Sequence, residues 1–142
     1  MLSNRFSFSK GAKLSPSWSS VTQGLGTQPF HGNIVVLVNE WTNGAAEMVA
    51  NFAEENKLAT VVGTKTCGTV LGARNFGVGG GYWLRLPVFG WFTSNGSTIE
   101  GKGVLPNLEV DQLPDLPKSG QDAQLAAAIA LLSSAATKRK AV

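Results

Sequence analysis

An α/β fold built around a strand–helix–strand unit is what three stretches of this 142-residue sequence predict. Ile34-Val35-Val36-Leu37-Val38 is an unbroken, mostly β-branched run, the pattern of a strand buried on both faces of a parallel sheet. The segment after it spaces Ala45, Met48, Val49, Phe52 and Ala53 as one helical face, with Glu47, Asn51, Glu54 and Glu55 largely on the other. Thr60-Val61-Val62-Gly63 then reads as a second strand. Strand, helix and strand at this spacing form a βαβ unit.

Local signals place the element ends. Thr42 or Asn43 is expected to cap the helix and Asn56 to stop it. A glycine-dotted loop spans Gly63 to Gly72, and Leu71 to Phe76 is read as extended. Gly79-Gly80-Gly81 is a break before the alternating stretch Tyr82 to Val88, in which Tyr82, Leu84, Leu86 and Val88 face one way and Trp83 and Arg85 the other. Extended chain is expected to continue to Thr93 after a bend at Pro87 or Gly90. Ser94-Asn95-Gly96-Ser97 is a tight-turn signal, because Asn-Gly tolerates positive φ. Leu108-Glu109-Val110 is a last short strand.

Residues 112–118, punctuated by Pro114 and Pro117, read as a linker to a C-terminal helix and basic tail at 119–142. Ser119-Gly120-Gln121-Asp122 resembles a capping box, and Leu125, Ala128, Ile129 and Leu132 form a helical stripe. Residues 1–31 contain no acidic residue, are rich in Ser, and read as an irregular lead-in, as at the broken end of a longer protein. They lack the apolar core of a secretory signal.

Composition bounds the chemistry. Apolar residues make up 43% of the chain, enough for one real core, and no apolar stretch is long enough to span a membrane as a helix. The net charge of +3 is spread out, and its tightest cluster, Lys138-Arg139-Lys140, reads as a solvated tail, so no nucleic acid is expected. Cys67 and His31 are the only cysteine and histidine, which excludes an internal disulfide and most metal-site arrangements.

Each candidate site has a competing structural role. Gly63 to Thr69 superficially resembles a phosphate cradle, but Thr69 stands where the P-loop lysine would follow Gly68. Gly77 to Gly81 opens a strand, not the helix N-terminus that binds phosphate. Cys67 and His31 could pair as thiol and imidazole only by converging on one pocket. Trp83, Phe89, Trp91 and Phe92 could line a peptide groove, although sheet-face packing is the simpler role. The turn from Thr42 to Glu47 is the strongest candidate, because a helix N-terminus offers unpaired N–H groups to an oxyanion.

Four ordered segments resemble the catalytic domain of the tail-specific, or C-terminal processing, serine peptidases and their tricorn-like relatives. They are Val35 to Glu40, Thr42 to Ala50, Ala59 to Gly68, and Phe92 to Val104 with Pro106-Asn107. The resemblance runs from about Gly32 to Val110, and residues 32–111 are read as a partial peptidase core. It implies a ClpP/crotonase-like α/β fold: the βαβ unit followed by β-hairpin strands and a C-terminal helix. It further implies a polypeptide substrate and no cofactor. By the family pattern the nucleophilic serine position is Gly44, the lysine base position is Thr69, and the Ala45 N–H matches one oxyanion donor. Relatives also place an acidic residue late in the chain, for which Glu100 is a candidate. Family members are commonly exported. Since Gly44 has no nucleophilic atom, an inactive, peptide-binding or structural domain is expected, with Cys67 as the alternative nucleophile of an active hydrolase.

Overall fold

The computed structural model describes residues 3–10, 13–14, 16, 18–21, 30–93, 95–111 and 122–140. Its elements in chain order are β1 (Ser3–Lys10), β2 (Lys13–Leu14), β3 (Trp18–Val21), β4 (Val35–Val38), α1 (Ala45–Glu55), β5 (Thr60–Gly63), β6 (Gly72–Gly79), β7 (Tyr82–Phe92), β8 (Leu108–Glu109) and α2 (Ala123–Lys140). The α/β class and the βαβ unit are as the sequence predicts. Asn56 caps the C-terminal end of α1, and Thr60–Gly63 is a strand along its whole expected length.

The strands form two sheets. β4, β5 and β8 are parallel in that order, with Val35 opposite Thr60 and Val38 opposite Gly63. Among the described residues β4 is an edge strand, which explains why its Leu37, like Ile34 just before it, remains about 40% exposed although a doubly buried strand was expected. β5 lies between neighbours, and its Val61 and Val62 are fully buried. The second sheet is antiparallel, with β1 pairing β3 and β2 on one side and β7 on the other, and β6 outside β7.

Residues 3–21 therefore contribute three strands, a correction to the irregular lead-in. Arg5 to Phe8 pair with Phe92 to Phe89. A partner more than 80 residues away gives no local signal, and only the alternation Phe6-Ser7-Phe8-Ser9 hinted at a strand. In β7 an unpaired Val88 interrupts the register opposite Gly72 and Ala73, so the expected bend is a β-bulge between Pro87 and Gly90. Residues 112–118, the expected linker, and Ser119 to Gln121 lie outside the described residues. Asp122 Oδ1 accepts from the Leu125 N–H over 2.8 Å and closes the first turn of α2.

The core gathers Val38, Ala50, Val61, Val70, Trp91, Ile99 and Val104, with Val36 and Met48 packed against it. Trp91 carries the antiparallel sheet into this core and is 1% exposed. Both helices present faces rotated from those expected. α1 buries Glu47, Ala50 and Ala53, while Val49 is 59% exposed. α2 buries Gln124 and Ala128 and leaves Leu125 and Ile129 half exposed, because Gln124 Nε2 donates to the Val110 carbonyl and sets the helix rotation.

Candidate functional site

The turn from β4 into α1 is shaped by short polar side chains. The Asn39 N–H donates to Thr42 Oγ1 (3.0 Å), the Trp41 N–H to Asn39 Oδ1 (3.0 Å), and the Thr42 N–H to the Asn39 carbonyl (2.9 Å). The Thr42 hydroxyl thus turns back toward Asn39 and does not cap α1, nor does Asn43, whose Nδ2 donates to the Trp41 carbonyl. The N-cap is Gly44, at φ 57° and ψ −124°, a conformation side chains adopt only under strain. Ala45 follows as the first helical residue, whose N–H has no acceptor within the helix. A Cβ at Gly44 would meet nothing closer than the Thr69 carbonyl oxygen at 3.9 Å, so the position opens into free space.

Glycine offers no capping oxygen, and Glu47 supplies one from inside the helix. Its Oε2 accepts from the Gly44 N–H (3.1 Å) and the Thr69 N–H (2.9 Å), and its Oε1 from Thr66 Oγ1 (2.5 Å) and the Gly68 N–H (2.6 Å). Glu47 is fully buried. A carboxylate has about four acceptor positions, and all are used here, which is what lets a charged group lie inside a protein. Its placement on the solvent face was the natural reading of a Glu in an amphipathic stretch. The missed signal was the spacing Gly44-x-x-Glu47, one half of a capping box.

The loop from Thr66 to Leu71 is held from three sides. Thr66 exchanges bonds with Val104, its N–H donating to the carbonyl (3.1 Å) and its Oγ1 accepting from the N–H (2.7 Å). The Cys67 N–H donates to the Thr42 carbonyl (3.0 Å) and the Gly101 N–H to the Gly68 carbonyl (2.8 Å). Glu100 Oε2 accepts from the N–H groups of Val70 (2.7 Å) and Leu71 (3.0 Å). Gly68, at φ 79°, passes so close to the next loop that a Cβ would lie 2.8 Å from the Gly103 nitrogen.

Gly44, with Ala45 next to it, and Thr69 therefore meet at one turn, and the Glu100 carboxylate holds the two residues that follow Thr69. The Gly44 N–H donates to the Thr69 carbonyl over 3.1 Å, and the exposed Thr69 hydroxyl reaches Cys67 Sγ at 3.6 Å. His31 is exposed and precedes the N-terminal end of β4, whereas Cys67 follows the C-terminal end of the parallel neighbour β5. The two lie at opposite ends of the sheet and form no pair. The four aromatics do not line one groove, since Trp91 is in the core and Trp83 is 70% exposed. Ser97 stays in the Thr93–Ser97 turn, and Ser94 is outside the described residues. An open cavity of about 890 Å³ also lies at the far end of the sheet, between Val35, Leu58, Thr60 and Leu131.

The model of peptidase family S41 matches residues 4–110. The family match reaches further toward the N-terminus than the resemblance read from about Gly32 to Val110. A carboxy-terminal-processing protease of Bartonella bacilliformis is 33% identical over 93 residues, 65% of this chain and 21% of that protein. Tricorn protease homolog 1 of Streptomyces coelicolor is 31% identical over 102 residues, 70% of this chain and 10% of that protein. A solved structure from Parabacteroides merdae, assigned as a peptidase, matches with a TM-score of 0.77 at 20% identity, over 93% of this chain and 42% of that one, a likeness of fold. The chain thus spans about a fifth, or less, of the length of these curated relatives.

Proposed function

The chain belongs to peptidase family S41, with tail-specific and tricorn-like proteases as its relatives, and from that premise we propose that it is a polypeptide-binding scaffold of the peptidase type that does not cleave. In this reading residues 32–111 form the peptidase core in a ClpP/crotonase-like arrangement. Gly44 stands in the nucleophile's place, Thr69 in the base's place, and the Ala45 N–H remains as an oxyanion donor. The observation that carries the reading is the Gly44–Thr69 contact at the N-terminus of α1, 3.1 Å from nitrogen to carbonyl oxygen. It supports the two positions belonging to one former catalytic pair, neither member of which can now act on a substrate.

The chemistry of the two residues supports silence. Glycine has no atom that can attack a carbonyl, and a threonine hydroxyl does not take up a proton near neutral pH as a desolvated lysine does. Losing a covalent nucleophile removes many powers of ten in rate. The test is digestion of an unfolded protein such as casein. The unaltered chain is expected to leave it intact. Gly44→Ser together with Thr69→Lys is expected to start cleavage, since position 44 has room for a side chain. Cleavage by the unaltered chain overturns the reading.

A further inference from the structure

β6 leaves the candidate site directly. Thr69, whose carbonyl accepts from Gly44, is three residues before Gly72, a span of at most about 11 Å. Glu100 pins the N–H groups of Val70 and Leu71 and so fixes the line along which the strand departs. β6 is the last strand of its sheet, and no described strand pairs with its outer side. Its backbone hydrogen-bonding groups on that side form an open edge that begins beside the turn.

The side chains along this edge have a definite chemistry. Arg74 opposes Leu86 and Phe76 opposes Leu84, so these four share one face of the ribbon. Phe76, Leu84 and Leu86 are each more than 40% exposed, and Arg74 is exposed at the end nearer the turn. Arg85, opposite Asn75, lies on the other face. From Gly72 to Phe92 the ribbon carries Arg74 and Arg85 and no acidic residue. The regular pairing runs from Ala73 to Gly77 before Val78 interrupts the register, long enough to template a short strand.

We propose that the outer edge of β6 is the docking strand for an extended segment of another polypeptide, apolar at alternate positions and acidic opposite Arg74, whose end it delivers to Gly44. The proposal rests on the peptide-binding reading above and gives that reading a location and a sequence preference. Main-chain bonds to β6 supply affinity, the Phe76 face receives every second side chain, and Arg74 selects charge. A second copy of this chain is the poorer occupant. Two β6 edges brought together would share one face with two Arg74 guanidinium groups and no carboxylate between them.

The test is fluorescence anisotropy of the full chain with labelled peptides of alternating Val and Thr bearing one Glu, against the Glu→Lys peptide and a proline-interrupted control. The Glu peptide is expected to bind roughly three- to tenfold more tightly than the Lys peptide. Arg74→Glu is expected to invert that preference, and Arg85→Glu to leave it unchanged. Binding that ignores the charge at position 74 overturns the β6 edge while leaving peptide binding itself standing. No binding beyond the proline control overturns both. A sedimentation-equilibrium dimer that excludes the peptide overturns the proposal in favour of self-pairing.

Discussion

Gly44 and Thr69 are bonded backbone to backbone, N–H to carbonyl, and Glu47 accepts from the N–H of each. One buried carboxylate thus fixes both sides of the turn. Glu47→Gln removes one acceptor oxygen and sets amide hydrogens against backbone donors. The expected loss is about 2–4 kcal/mol in urea denaturation. Glu40→Gln, which disturbs only an exposed bond to Thr64, should stay within about 0.5 kcal/mol. Equal effects of the two would contradict the clamp.

Two glycines with similar φ should respond differently to alanine. Gly101, at φ 68°, has nothing within 4 Å of an added Cβ, and its replacement should cost about 1 kcal/mol. At Gly68 the same strain is joined by collision with the Gly103 and Lys102 nitrogens, and a loss of about 3 kcal/mol is expected. Thermal or urea melts of the pair check the order.

Gly44→Ala should lower stability by about 1–2 kcal/mol without changing the circular dichroism spectrum, because the cost is conformational and the space is open. A neutral or stabilising result would show that the turn relaxes away from φ 57°.

Glu100→Ala releases the N–H groups of Val70 and Leu71. Hydrogen exchange at those two amides should accelerate at least about tenfold, while amides of β5 keep their protection. Unchanged exchange at Val70 would mean that another group holds the start of β6.

Cys67 is exposed and free, with the Thr69 hydroxyl as its neighbour. A maleimide should label it in the folded chain, and Cys67→Ala should change stability by no more than about 0.5 kcal/mol. A serine- or thiol-directed hydrolase probe should give no turnover-dependent labelling, and such labelling would revive Cys67 as a nucleophile.

The parts of the fold that were legible in sequence are those written by near neighbours. The Val-rich strands, the Asn56 stop and the Asn95-Gly96 turn, where Gly96 sits at φ 81°, all follow from local spacing. What stayed hidden depends on distant partners. β1 is defined by its pairing with β7, and the burial of Glu47 is defined by donors about twenty residues away in the next loop. Gly44 and Thr69 could be named from the pattern of the chain. Their contact, and the way Glu100 steers the strand that leaves them, needed the folded backbone.

The clamp grips position 44 only through its main chain, so its geometry is indifferent to which side chain stands there. Any larger residue would be held in an unfavourable backbone conformation, strained like a loaded spring although open space surrounds its side chain. With glycine the spring is mounted but slack. The turn keeps its shape without steric strain, and the first side chain placed there would be the one to load it.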